Sequence, residues 1–217
     1  TPLGYTHFSL STTFDYISEL DEGKFLIRGE VGRLIRVCKR RAKSRKAGVR
    51  DWLIIHLALS TGLRVHEITD LKCGDILIAN ERASLIVRNG KGGKRRIVRF
   101  NGEFKKHLKD YLAWKKANNE GINPEDPLIK SSNTGGHLSK RAVQRAFERC
   151  SKMAGIDTKH CFHHLRHTYA SHLYKASDYN LRMVQKQLGH SSIKTTQVYA
   201  DVFDEELDRA LERLYMS

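Results

Sequence analysis

A stretch of fifteen residues, RDWLIIHLALSTGLR at positions 50–64, most strongly constrains how this chain can fold. At helical periodicity its residues are apolar on nearly every side, and a helix of that kind has to be surrounded by other elements. We therefore predict a central buried helix. Asp51 is a plausible N-cap for it and Gly62 a plausible C-terminal stop, because these residue types commonly begin and end helices.

The pattern changes between Ile76 and Phe100, where the β-branched runs ILIA, SLIVR and RRIVRF are separated by NE and by NGKGGK. Such runs predict three short antiparallel strands. The remaining sequence is helical in pattern, with Asn101 and Ser139 as plausible N-caps. We therefore predict a mainly α fold with a small three-stranded antiparallel sheet, in the α+β class.

The charge is strongly positive, since 39 Lys and Arg face 24 Asp and Glu and give a net charge of +15. This favours a nucleic-acid partner, because basic groups that contact a phosphate backbone release its counterions. The densest cluster is KRRAKSRK at positions 39–46, where six of eight residues are Lys or Arg. Such a run is usually a solvated face, and it also fits a surface that follows phosphates.

Other classes of protein are disfavoured by what the sequence lacks. No apolar run approaches the about 18 residues that a membrane-spanning helix needs, and no secretory signal is evident. The cysteines Cys38, Cys73, Cys150 and Cys161 form no C-x-x-C pair. We expect reduced thiols in a cytoplasmic protein.

Four short stretches contain the residue types that chemistry on a phosphate requires: TGLRVHEI, NGKGGKRR, HHLRH, and LGH followed nine residues later by Tyr199. In this order and at these separations they resemble the catalytic domain of the tyrosine recombinases, the phage integrase family, in the style of the Xer recombinases. The resemblance runs from about Lys24 to the C-terminus. It implies site-specific cleavage and rejoining of DNA through a covalent 3′-phosphotyrosyl intermediate, without metal or cofactor.

The residue types suit that reaction. Arginine binds two phosphate oxygens through a planar group that stays charged, and a tyrosine nucleophile preserves the energy of the broken bond. The resemblance makes Arg64 and Arg166 the two residues that bind the phosphate. It makes Tyr199 the nucleophile, whereas Tyr169 and Tyr174 are expected in the core.

The resemblance also assigns the supporting chemistry. Lys91, in the Gly-rich turn, corresponds to the general acid, with Lys94 as a competitor. His163, one helical turn before Arg166, would exchange the tyrosine proton, and His190 would donate a hydrogen bond to the phosphate. Glu67 matches an acidic position that orients an arginine or histidine.

The expected partner is double-stranded DNA with paired recombination sites, bound by a homotetramer in which the C-terminal helix packs in cis or on a neighbour. That helix has an apolar stripe that includes Leu207, Leu211 and Leu214. The residues predicted to contact DNA are Lys39, Arg40, Arg41, Lys43, Arg45, Lys46, Lys94, Arg95 and Arg96.

Residues 1–24 are predicted to be a linker or N-terminal extension, and residues 25–217 the catalytic domain. The N-terminal core-binding domain of most family members has no counterpart in this chain, so we expect either a catalytic fragment or a short recombinase. Alternatives are a type IB topoisomerase-like enzyme, a telomere resolvase, or a catalytically silent DNA-binding regulator. A zinc site among the histidines around Arg166 is disfavoured, since no cysteine or carboxylate completes a ligand set.

Overall fold

The computed structural model describes residues 25–78, 82–90 and 93–189. It confirms the mainly α fold with a three-stranded antiparallel sheet. The helices are α1 Arg28–Ser44, α2 Lys46–Thr61, α3 Val65–Asp70, α4 Gly102–Ala117, α5 Lys140–Ala154, α6 Phe162–Ala176 and α7 Leu181–Leu188. The strands are β1 Ile76–Leu77, β2 Ser84–Val87 and β3 Arg96–Arg99, with a 3₁₀ turn at Cys73–Asp75 before β1.

Helix α2 is the buried centre of the fold, as its apolar pattern predicts. Ten of its sixteen residues are buried, and it packs against α1, α4, α5 and α6. It ends at Gly62, which adopts a left-handed conformation with φ of 62°. The predicted stop is therefore confirmed, because glycine adopts this conformation without a steric penalty.

The predicted start of α2 is wrong. The helix begins at Lys46, five residues before Asp51, and Asp51 is a buried interior residue with 3% of its surface exposed. Its carboxylate accepts hydrogen bonds from Arg41 Nη2 at 3.1 Å and from Arg149 Nη2 at 2.7 Å. The aspartate thus joins α1 and α5 to the central helix instead of capping it.

Replacing Asp51 by asparagine is expected to destabilise the fold by about 2 kcal/mol, because hydrogen bonds to two charged groups are weakened in a buried position. Urea unfolding would measure the loss. The matched control is Glu148→Gln, which removes an exposed carboxylate of α5 and should change stability by less than about 0.5 kcal/mol. Equal stability of the Asp51→Asn and Glu148→Gln proteins would contradict this role.

The two later N-caps are confirmed. Asn101 Oδ1 accepts a hydrogen bond from Phe104 N at 2.9 Å at the start of α4. Ser139 Oγ accepts one from Ala142 N at 3.1 Å at the start of α5. Each satisfies a backbone donor that the first turn of a helix leaves unpaired.

The sheet has the order β1-β2-β3, and β2 pairs with β3 from Ser84↔Arg99 to Val87↔Arg96. Side chains alternate between the two faces of a strand. Val98 is buried, so Arg96, two residues earlier, shares its inward face. Ile97 and Arg99 lie on the opposite, exposed face.

A smaller apolar cluster joins α6 to α7 through Ala170, Tyr174, Val184 and Leu188. Tyr174 is buried, as predicted, and Tyr169 packs partly buried against the cluster. All four cysteines are free thiols, with Cys161 exposed. None of the described helices has the length and apolar character needed to cross a membrane.

Candidate active site

Arg166 connects three of the motifs. It lies on α6 with 3% of its surface exposed. Its Nη1 donates to Gly62 O at 2.5 Å, and its Nη2 donates to Leu188 O at 3.0 Å. These carbonyls belong to the TGLR and LGH motifs, so one guanidinium fixes the relative positions of segments 104 and 22 residues away along the chain.

Glycine is required at position 62 for packing as well as for backbone conformation. A Cβ there would lie 2.4 Å from Tyr169 Cδ1 and 2.7 Å from Leu188 Cδ2. These distances are far shorter than a normal carbon–carbon contact of about 3.5–4.0 Å. The turn that precedes Arg64 can therefore approach α6 and α7 only because residue 62 has no side chain.

Arg64 stands at the start of α3, and Glu67 lies in the first turn. Glu67 Oε2 accepts a hydrogen bond from Arg64 N at 2.8 Å, and Glu67 Oε1 accepts one from Arg64 Nη1 at 3.2 Å. A carboxylate in the first turn pairs with the backbone donors there and suits the positive end of the helix. The i, i+3 spacing seen in the sequence thus produces a direct contact.

A second arginine binds the same carboxylate more closely. Arg96 Nη1 donates to Glu67 Oε1 at 2.7 Å, and Arg96 Nη2 donates to Oε2 at 2.9 Å. The pair is bidentate, the strongest geometry for these two groups. The Glu67 side chain has no exposed surface, and that of Arg96 is 13% exposed.

Burial alone would raise the pKa of Glu67. The pKa is nevertheless lowered, because the effect of burial is outweighed by the hydrogen bond and charge of Arg96, by the backbone N–H of Arg64 and by the charge of Arg166. The carboxylate is therefore ionised at neutral pH. Arg166 donates to Gly62 O, two residues before Arg64.

His163 lies one helical turn before Arg166 on α6, and Arg166 in turn contacts the segment that precedes Arg64. The pKa of His163 is lowered by partial burial of the ring and then by the charges of Arg166, His164 and Arg64. The ring is therefore neutral at pH 7 and able to accept a proton. The neighbouring His164 makes a local contact, in which its Nδ1 accepts a hydrogen bond from Cys161 N at 2.8 Å.

The structure thus brings together Arg64, Glu67, His163 and Arg166, from α6, α3 and the turn between α2 and α3. Lys91, His190 and Tyr199 lie outside the described residues, as do Leu207, Leu211 and Leu214 in the predicted C-terminal helix. Their roles remain predictions. Within the described ranges, no three His, Cys, Asp or Glu residues are grouped so as to hold a metal ion.

The basic residues predicted to contact DNA fall into two groups. Arg41 is held by Asp51, and Arg96 by Glu67. The others are exposed: Lys39, Arg40, Lys43, Arg45, Lys46, Lys94 and Arg95. Lys39 also lies 3.8 Å from a Glu103 carboxylate oxygen.

The structural partner of Glu67 is the feature that sequence reasoning missed. The sequence predicts a DNA contact for Arg96, as for the neighbouring basic residues of the hairpin, whereas its side chain points inward and binds Glu67. The signal was present in RRIVRF, because Arg96 is in phase with Val98 in a strand that alternates between core and solvent. A basic residue in phase with the core of a strand predicts a buried acidic partner.

The site contains a bidentate arginine–glutamate pair beside a second arginine. A histidine lies nearby, and a third, buried arginine joins the motifs. Such a cluster of cationic groups is suited to binding a phosphate diester. The sequence profile of the phage integrase family matches residues 24–206. The chain belongs to the phage integrase family.

Two relatives are tyrosine recombinases named XerC. That of Haemophilus ducreyi is 37% identical over 153 residues, which are 70% of this chain and 48% of that protein. That of Haemophilus influenzae strain PittEE is 32% identical over 203 residues, 89% of this chain and 66% of that protein. The chain therefore spans between about half and two thirds of the length of these relatives.

The fold also matches a solved structure, the XerH site-specific recombinase bound to a palindromic difH substrate in a post-cleavage complex. The TM-score is 0.73 and the sequence identity 25%, over 91% of this chain and 55% of that one. The mainly α fold with its small sheet is thus the fold of a tyrosine recombinase catalytic domain.

Proposed function

We propose that this chain is the catalytic domain of a site-specific DNA recombinase that cleaves and rejoins strands through a 3′-phosphotyrosyl intermediate at Tyr199. The observation that carries the proposal is the pair of hydrogen bonds from Arg166 to Gly62 O and Leu188 O. They hold Arg64 and the segment leading to His190 beside the same helix face. This arrangement serves a reaction that needs several cationic groups around one phosphate.

In the proposed step, Tyr199 Oη attacks the phosphorus, the bond from phosphorus to the 5′ oxygen breaks, and a phosphotyrosyl bond forms. His163, neutral at pH 7, accepts the tyrosine proton. Lys91 donates a proton to the departing 5′ oxygen. One phosphoester replaces another, so religation by a 5′ hydroxyl reverses the step with no other energy source.

The arginines supply the charge stabilisation. The phosphorane transition state carries more negative charge on its nonbridging oxygens than the diester does, so fixed guanidinium groups stabilise it preferentially. Arg64 pairs through Nη1 with Glu67 and has no other side-chain acceptor among the described residues. Its side chain is 21% exposed, which leaves it accessible to a DNA phosphate. His190 would add a further donor.

The proposed partner is duplex DNA with paired sites, bound by four copies of the chain in the cytoplasm. The solved structure of the XerH site-specific recombinase holds a palindromic difH substrate. On this chain the exposed cations Lys39, Arg40, Lys43, Lys94 and Arg95 are suited to phosphate contacts. The predicted C-terminal helix would pack in cis or on a neighbouring protomer, and residues 1–24 would serve as a linker or N-terminal extension before a catalytic domain at 25–217.

The proposal is tested with nicked suicide duplexes, in which the short strand downstream of the cleavage site diffuses away and prevents religation. Half-sites are first selected from a random-sequence duplex pool by binding. We expect a DNA–protein product that survives denaturation in SDS. Sequence-specific binding with no covalent product on any selected half-site would favour a silent regulator, and supercoil relaxation without paired sites would favour a topoisomerase.

A further inference from the structure

Two arginines share the Glu67 carboxylate unequally. Arg96 donates to both oxygens, at 2.7 and 2.9 Å, whereas the Arg64 side chain makes one longer contact at 3.2 Å. The arginine with the closer contacts is also the less exposed one, since the Arg96 side chain is 13% exposed and that of Arg64 21%. Arg96 is thus the main counterion of the carboxylate.

We propose that Arg96 is a positioning residue for strand cleavage. By pairing with both oxygens of the Glu67 carboxylate, Arg96 leaves the Arg64 guanidinium able to bind the scissile phosphate. This inference rests on the proposed function. A buried carboxylate without a partner is strongly unfavourable. Arg64 is the other guanidinium in contact with Glu67. If Arg96 were absent, Arg64 would therefore move into bidentate contact with the Glu67 carboxylate.

The location of Arg96 suits this role. Its strand places it on the inward face, and two glycines leave room for its guanidinium. A Cβ at Gly189 would lie 2.6 Å from Arg96 Cδ and 2.7 Å from Nε, and one at Gly90 would lie 3.1 Å from Nη1. The side chain therefore lies between the hairpin and the turn at Gly189.

The arrangement also links parts of the site that the chain separates. Gly90 immediately precedes Lys91, and Gly189 immediately precedes His190. The Arg96 side chain occupies the space that a side chain at either glycine would need, and it binds Glu67, which binds Arg64. One side chain therefore packs against the segments that bear the predicted general acid and the predicted phosphate donor while it holds the carboxylate beside the phosphate-binding arginine.

The first test is Arg96→Gln, measured as the single-turnover cleavage rate on a saturating nicked suicide duplex, with the DNA dissociation constant measured in parallel. We expect the rate to fall about 100-fold, the effect of a small displacement of a group that contacts the reacting centre. DNA affinity should change by less than about threefold, since one interior charge pair is lost among many surface contacts. The matched control is Arg99→Gln, on the outward face of β3, which should cleave at the wild-type rate.

A second variant separates positioning from a merely structural contribution. In Glu67→Gln/Arg96→Gln the neutral amide no longer attracts Arg64, so we expect cleavage to recover at least about tenfold relative to Arg96→Gln. Coupling of this size is typical of residues in one charged network. If the double variant were as slow as the single variant or slower, Arg96 would be supporting the fold alone and the proposal would be overturned.

Thermal unfolding accompanies each measurement. If Arg96→Gln proves unfolded, Arg96→Lys replaces it, because one ammonium keeps the charge but cannot bind both oxygens in a plane; an intermediate loss of rate is then expected. Wild-type cleavage by Arg96→Gln, or by Arg96→Lys in its place, would overturn this inference and leave the proposed function intact. If the wild-type chain forms no covalent product, the proposed function fails and this inference fails with it.

Discussion

Phenylalanine at position 199 is expected to abolish covalent trapping of DNA, with product below about one thousandth of the wild-type amount. The substitution removes the phenolic oxygen that attacks the phosphorus in the proposed step. DNA binding should persist, because the charge of the protein and its exposed basic residues are unchanged. The measurement is denaturing gel electrophoresis of the suicide-substrate reaction, beside a mobility-shift titration.

The matched control for Tyr199→Phe is Tyr179→Phe, which removes a hydroxyl from the connection between α6 and α7. It should trap DNA as the wild-type chain does. A normal yield of covalent product from the Tyr199→Phe protein would show that another residue is the nucleophile.

Replacing Arg166 by lysine is expected to lower the cleavage rate by about 10²–10³-fold, the usual effect of removing one preorganised donor at a developing oxyanion. An ammonium cannot donate to Gly62 O and Leu188 O in the plane of a guanidinium. We also expect a loss of about 2 kcal/mol in stability, because a buried carbonyl would lose its charged donor.

These two effects can be measured separately. Cleavage is followed at a temperature where urea titration shows that the Arg166→Lys protein is fully folded. The control is Arg145→Lys on the exposed face of α5, which should change stability by less than about 0.5 kcal/mol. Wild-type cleavage by folded Arg166→Lys protein would contradict the role of Arg166 in joining and serving the site.

Much of the fold could be predicted because its elements are determined by local patterns. The all-round apolar surface of α2, the alternation in β2 and β3, and the caps Asn101 and Ser139 are each visible within a few residues. The start of α2 could not be predicted in this way. Asp51 looks like a cap in isolation, and its interior position is possible only because Arg41 and Arg149 neutralise it from other helices.

In the site, too, the local spacings could be predicted from the sequence and the long-range contacts could not. The spacing of Arg64 and Glu67, and of His163 and Arg166, follows from helical periodicity. Contacts across long stretches of chain, such as Arg166 to Gly62 or Arg96 to Glu67, depend on how helices and sheet pack together. Those contacts decide which basic residues face solvent and which face the interior, and composition alone cannot distinguish the two.

The central claim, that this chain joins itself to DNA through Tyr199, is tested most directly by identifying the residue that carries the DNA. The covalent product of the wild-type chain and a suicide duplex would be digested with protease and nuclease, and the modified peptide sequenced by mass spectrometry. We predict a nucleotide linked through its 3′ phosphate to the tyrosine of the peptide SSIKTTQVYA. A linkage at any other tyrosine, or through a 5′ phosphate, would contradict the account.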